Sequence, residues 1–542
     1  MRITSLFPLA FLAPGEGFTL MLSLRQLTLA PPTQSSILPR EFISMRNMSA
    51  GDLDDVVESS PISINGNNKS STKENGIFLL EIYGLIQASI IGILTGGSVG
   101  IFKLAIDALR RFTYSSLLLD HAPPFLLLPL IPAVGGAAVG LLSLLGSFPP
   151  GLQGTVAAVD ELAGSKIPNF GQRSFDFLRK TLAAVCTLGT GCSLGPEGPA
   201  VEVGMAIGTT VTGFPFEGKI DAKINRSRLL LACGAAAGVS AGFNAPIAGV
   251  FFALEIVQGA FRSALGKQET IATATSSNIS SILISSVLSA LTAKTILGDH
   301  SVFELSDYTL RSPLVELPLF LMLGALSGLV AFTFIQSAKF SKGIFDGEEG
   351  PTPLRQFAKK VPNSTKPIIG GFFCGIVGLV FPQILFFGYE TLNGLLANSS
   401  LPTDLLLALL VAKIISTAVS VGSGLVGGTF APSLFLGGMV GASFHNAMAW
   451  LFTHMAIPGS GILQAFGAPA FELADVPAYA MVGSASVLAA IFRAPLTASL
   501  LLFELTRDYD VILPLMASAG VGSLVRDLVE QKFEQGNRVE EQ

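Results

Sequence analysis

The chain has 542 residues, 50% of them hydrophobic and only 13% charged, with a mean hydropathy of +0.61. A soluble globular protein carries about 25% charged residues, so this composition excludes an ordinary water-soluble domain and implies a polytopic membrane protein. The formal net charge of −5 is spread over loops and both ends, which leaves no basic face for nucleic acid.

Residues 1–76 differ from the rest. The stretch MLSLRQLTLAPPTQSSILPREFISMRNMSA (21–50) contains Ser and Arg with one acid, Glu41, and reads either as an organelle transit peptide or as an unstructured tail. The apolar stretch at 6–14 is interrupted by Pro8 and Pro14 and followed by Glu16, which makes a poor anchor. Residues 52–73, rich in Ser, Asn and Asp, read as a disordered linker. Candidate membrane segments follow at 77–106, 124–145, 229–254, 271–293, 317–335, 368–385 and 480–503, and no Asp, Glu, Lys or Arg occurs from Ile414 to Phe471. Crossing a bilayer core of about 30 Å takes roughly 20 helical residues. The segments are rich in Gly and lack short alternating strands, so the fold class is all-α rather than a closed barrel. The expected organisation is a first membrane half at 77–297, a second at 313–528, and a short charged tail at 529–542. Cys186, Cys192, Cys233 and Cys374 lie in apolar segments without metal-ligand spacing and read as small packing residues. No HExxH pattern occurs among the four histidines, so no metal, cofactor or metalloenzyme chemistry is expected.

Two motif pairs recur along the chain. GTGCSLGPEGPAVEVGMAIG from Gly189 aligns without gaps with GSGLVGGTFAPSLFLGGMVG from Gly422, and Glu197 falls opposite Phe430. GAAAGVSAGFNAPIAGVFFALE from Gly234 matches GSASVLAAIFRAPLTASLLLFE from Gly483, each with F-x-A-P followed at the same distance by Glu255 or Glu504. The second pair is the more widely spaced, which places an insertion between the motifs of the second half. Two-repeat membrane proteins put their binding site at the repeat interface, on helices broken by Gly and Pro. A helix beginning near Glu197–Gly198 or Phe430–Ala431 starts with free N–H groups and roughly half a positive charge, which attracts anions. Such partial charges suit a permeant ion. Glu197 is itself an anion at this position. It either caps its helix or competes with the ion and gates it.

These residues resemble the CLC family of chloride channels and anion/proton exchangers. The matches are GPEGP at 195–199 (family G-[K/R]-E-G-P), GGTFAP at 427–432 (family G-x-F-x-P), GFNAPIAGVFFALE and FRAPLTASLLLFELT, in order and spacing over about residues 77–528. Pro196 in place of Lys or Arg looks like the plant branch related to cyanobacterial members, including the plastid CLC-e type. That favours the transit-peptide reading and a chloroplast thylakoid membrane, with Golgi or another endomembrane as the alternative. The resemblance implies a homodimer with one pore per subunit and about 18 intramembrane helices in two inverted repeats. It makes Glu197 the gating glutamate and puts Gly195, Pro196, Gly198, Thr429, Phe430 and Ala431 around the anion, with Lys180 adding positive potential.

There are four departures from the family pattern. The family motif G-S-G-I-P supplies a serine hydroxyl, whereas PPGLQGT (149–155) puts Pro150, followed by Gly151, in that place. Pro150 offers no donor, which disfavours chloride more than the weakly hydrated nitrate. GSKIP (164–168) leaves too little room before Arg179 for the helix that should intervene, so Ser165 is not the equivalent. Ile256 stands where exchangers carry their internal proton-accepting glutamate. The C-terminal tyrosine has no counterpart in VEQKFEQGN, where Phe533 is nearest, and no paired CBS domains follow. The sequence therefore reads as a gated passive anion channel for chloride and nitrate. An anion/proton antiporter is the alternative, and a membrane-embedded enzyme a remote one, because GTGCSLG follows no strand and lacks the Lys-Ser/Thr of a phosphate loop.

Overall fold

A computed structural model describes residues 68–117, 124–149, 151, 170–211, 220–257, 276–298, 303, 305, 308–310, 315–454 and 473–540. The transit-peptide reading and most of the linker lie outside them. Among the described residues the regular structure is helical, apart from one isolated antiparallel bridge between Gly195 and Gly428. The first half comprises α1 (Asn68–Arg110), α2 (Pro124–Leu144), α3 (Phe170–Gly189), α4 (Glu197–Val211), α5 (Ile220–Phe243), α6 (Pro246–Phe252) and α7 (Ser276–Leu297). The second comprises α8 (Leu317–Asp346), α9 (Thr352–Lys360), α10 (Lys366–Val380), α11 (Tyr389–Leu396), α12 (Thr403–Gly422), α13 (Phe430–His454), α14 (Val476–Phe492), α15 (Pro495–Thr506) and α16 (Ile512–Glu540). The helices α1, α2, α7, α8, α12 and α16 are long and apolar enough to cross a membrane.

Helices run on past residues 77 and 528. Residues 68–76 already belong to α1 and residues 529–540 to α16, because neither stretch contains a proline and both continue the helix. The apolar runs 229–254 and 480–503 are not single spans either. Each breaks at a left-handed residue, Asn244 (φ 56°) and Arg493 (φ 55°), and restarts at the proline that opens α6 or α15. Asn tolerates the left-handed region through its short polar side chain. Arg493 is tied there by Asp527 at 2.8 Å and Glu530 at 2.7 Å.

The helices are apolar outward and small or polar inward. Ile86, Ile90, Ile93 and Ile101 of α1 are exposed, whereas Ser285 and Ser289 of α7 are buried and donate to the carbonyls of Cys233 (3.1 Å) and Ala237 (2.7 Å) on α5. This is how membrane helices associate, since lipid offers no hydrophobic drive between them and small or hydroxyl residues permit close backbone contact.

The packing repeats as the sequence does. α4 crosses α5 as α13 crosses α14, and α7 lies against α1 and α5 as α16 lies against α8 and α14. The repeat mates Gly204 and Gly437 make the same crossing: a Cβ on either would strike the carbonyl oxygen of Gly234 or Gly483, respectively. The halves join where α2 packs on α10 and α6 on α15. Gly204→Ala should therefore lower stability by about 1–3 kcal/mol, the cost of overpacking. Gly97→Ala, whose Cβ would enter open space, should not. Thermal unfolding of the detergent-solubilised protein checks both, and equal midpoints for the two variants would refute the crossing.

Candidate anion site

Two helices begin at one point in this fold. α4 starts at Glu197 and α13 at Phe430, and the turns before them pair through reciprocal bonds, Gly195 N–H to Gly428 O (2.8 Å) and Gly428 N–H to Gly195 O (2.7 Å). Gly195 and Gly428 are repeat mates, so this pair lies on the pseudo-two-fold relating the halves. The approach requires glycine, because a Cβ on Gly198 would lie 2.7 Å from Gly428 Cα. The third helical residue in each case is proline, Pro199 or Pro432, which carries no N–H. The first intrahelical bonds are Ala200 N–H to Pro196 O and Ser433 N–H to Thr429 O, both 3.0 Å. The amides of Glu197, Gly198, Phe430 and Ala431 thus precede the helical ladder as orphan donors around one spot.

The Glu197 carboxylate fills that spot. The residue is 1% exposed, and its Oε1 accepts from the Tyr389 hydroxyl. Oε2 lies beside the Ala431 amide without a well-formed hydrogen bond, and a Cβ on Gly195 would meet it at 2.5 Å. Lys103 on α1 donates to the carbonyls of Gly242 and Ala241 at the end of α5, and its charge acts on Glu197. Phe430 closes one side: its ring stacks on Phe492 at 4.0 Å and meets Phe252 at 5.8 Å and Phe243 at 6.2 Å. Phe243 and Phe492 are repeat mates, so the aromatic wall is built from both halves.

The remaining sequence candidates fall as follows. Pro196 and Ala431 are buried at the two helix starts, and Thr429 precedes α13. Lys180 is committed to Glu202 (2.7 Å) and to the carbonyl of Pro149 (2.9 Å), so its charge is matched locally. Gly151 is exposed and close to Glu202. Pro150 and Ser165 lie outside the described residues. Phe533 packs against Phe332 at 5.6 Å on α8, away from the site. Ile256 is partly buried in the core and carries no titratable group.

Glu255, beside it, accepts from the amides of Leu496 (3.3 Å) and Thr497 (2.8 Å) at the start of α15, while its mate Glu504 accepts from Ile247 (2.9 Å) and Ala248 (2.6 Å) at the start of α6. The two carboxylates are exchanged caps that lock one half to the other. Two residues of the site escaped the sequence reading. A lone lysine in an apolar segment is an available signal for Lys103. Nothing local marks Tyr389, far from Glu197 in the chain.

Paired half-helices on a pseudo-two-fold, with orphan amides converging at a buried point, define a two-repeat polytopic membrane protein of the broken-helix kind. The family model for voltage gated chloride channels matches residues 135–527. Chloride channel protein CLC-e of Arabidopsis thaliana is 36% identical over 457 residues, 81% of this chain and 59% of its own length. Chloride channel protein CLC-f of the same plant is 37% identical over 413 residues, 74% of this chain and 47% of its own. The H(+)/Cl(-) exchange transporter ClcA of Vibrio vulnificus is 30% identical over 448 residues, 80% of this chain and 84% of its own. The crystal structure of a slow cyanobacterial Cl-/H+ antiporter superposes with a TM-score of 0.65 at 26% identity, covering 82% of this chain and 94% of that one. The chain belongs to the CLC, or voltage gated chloride channel, family and is an integral membrane protein. It spans about half the length of the plant relatives it matches.

Glu255→Gln and Glu504→Gln should each cost about 1–3 kcal/mol of stability through loss of charge-assisted caps. Thermal unfolding of the detergent-solubilised variants checks this, and unchanged midpoints would refute the caps.

Proposed function

We propose that the chain is a gated passive channel for chloride and nitrate in an organelle membrane. The observation that carries this reading is the Glu197 carboxylate held where the orphan amides of α4 and α13 converge. Those amides attract any anion, and the tethered carboxylate occupies the place a permeant ion would take. When Glu197 leaves, the same donors bind chloride or nitrate through partial charges that release it again.

Ile256 favours a channel over an antiporter. An exchanger must bring a proton across apolar protein, and the position where exchangers keep an internal acceptor is aliphatic here. Glu255 does not replace it, since both its oxygens are engaged at the start of α15. The antiporter remains the second reading, favoured by likeness to two proteins named as exchangers. Likeness to a plant CLC-e and the composition of residues 21–50 support a chloroplast thylakoid site. Exposed apolar side chains on α6, α15 and α16, among them Ile247, Leu496 and Leu513, offer a second copy a face to cover, in keeping with a homodimer with one pore per subunit.

Purified protein in sealed liposomes tests the reading. Chloride flux should depend on pH in the wild type, and Glu197→Ala should keep or raise the flux and remove that dependence. An anion gradient should drive no uphill proton movement. Loss of all flux in folded Glu197→Ala would refute the gate, and proton pumping abolished by Glu197→Ala would establish the antiporter.

A further inference from the structure

The feature of the site that neither the repeat nor the half-helices account for is Tyr389. Its hydroxyl donates to Glu197 Oε1 from α11, an element of the second half that contributes no half-helix to the centre. The turn that delivers it is built with unusual care. Phe386 (φ 56°) and Gly388 (φ 82°) are both left-handed. The buried Lys413 of α12 donates to the carbonyls of Ile384 (2.9 Å) and Phe386 (3.0 Å), with its ammonium 5.2 Å from the centre of the Phe435 ring. The Phe386 amide donates to Gly191 O at 3.2 Å, within the turn that leads to α4. The tyrosine ring itself packs edge-on against Phe303 at 5.5 Å and against Phe387 at 5.8 Å. The next residue, Glu390, pairs with Arg110 at the end of α1. A buried lysine in a membrane protein that donates to two carbonyls of one turn is a heavy commitment to holding that turn.

We propose that Tyr389 is the side-chain hydroxyl ligand of the permeating anion, donating to Glu197 while the carboxylate occupies the site and to chloride when it does not. The proposal rests on the reading of Glu197 as the gate. Backbone amides at the starts of α4 and α13 supply the other donors. A dehydrated halide needs donors from several directions, and a hydroxyl adds one to those of the backbone. Tyr389 Oη already bonds the carboxylate oxygen that stands in for the ion, while Oε2 lies buried without a well-formed hydrogen bond. The other tyrosine hydroxyls with recorded bonds have their own partners: Tyr114 donates to Thr190 O, Tyr308 to Asp508 and Tyr479 to Glu316.

The test is chloride titration by calorimetry on the purified full chain. Glu197→Ala vacates the site and should bind chloride more tightly than the wild type. Glu197→Ala/Tyr389→Phe, which removes one oxygen and keeps the ring between Phe303 and Phe387, should bind roughly tenfold to a hundredfold more weakly than Glu197→Ala, the worth of a hydrogen bond to a charged partner. Glu197→Ala/Tyr308→Phe should match Glu197→Ala. Equal affinity with and without the Tyr389 hydroxyl overturns the proposal while leaving the gate intact. A loss of the same size in the Tyr308 variant also overturns it, because the effect is then not local. If Glu197→Ala binds chloride no better than the wild type, the gate reading fails and this proposal falls with it.

Discussion

Two hydrogen bonds between Gly195 and Gly428 set the geometry of this molecule. Here the two repeats pair backbone to backbone at equivalent residues, in the antiparallel sense that a two-fold relation requires. Because the paired residues are repeat mates, whatever the first half places just beyond Gly195 the second half places just beyond Gly428. Each half places a helix start. The result is four orphan amides facing one small volume, with a proline in each helix removing the donor that would point elsewhere. The backbone donors proposed for the anion come from these helix starts, whose partial charges hold an ion less tightly than a buried arginine would.

The same two-fold logic secures the rest of the structure. Glu255 and Glu504 each cap the helix that begins after the other half's F-x-A-P break, so that neither carboxylate is unpaired within the membrane and neither half can separate without exposing both. The glycine crossings of α4 with α5 and α13 with α14 bring these helices into close backbone contact. Asymmetry enters at the centre, where the first repeat carries Glu197 and the second carries Phe430. One half supplies a carboxylate at its helix start and the other a phenylalanine in the same place, and Tyr389 adds a donor that the two-fold does not repeat.

Much of this was legible in the residues. The Gly and Pro spacing of 189–208 and 422–441 exposed the repeat, and Glu197 between two glycines and two prolines exposed the centre, because each cost its helix something that only a special backbone path recovers. The break at Asn244 was written in F-N-A-P, yet hydropathy over 229–254 reads as one span, since a reversal inside the membrane leaves an apolar average unchanged. Lys103 follows a long uncharged run of α1 and could have been singled out. Tyr389 could not, because its place beside Glu197 arises from the path of a turn stapled by Lys413, and neither residue lies in a motif.

The central claim is that the Glu197 carboxylate occupies the anion site itself. Crystals of Glu197→Ala grown in bromide test it through the anomalous scattering of that ion. The account predicts a bromide peak within hydrogen-bond reach of Tyr389 Oη and the Ala431 amide, where the carboxylate now sits. An ordered site there without bromide, in a protein that still conducts, would contradict it.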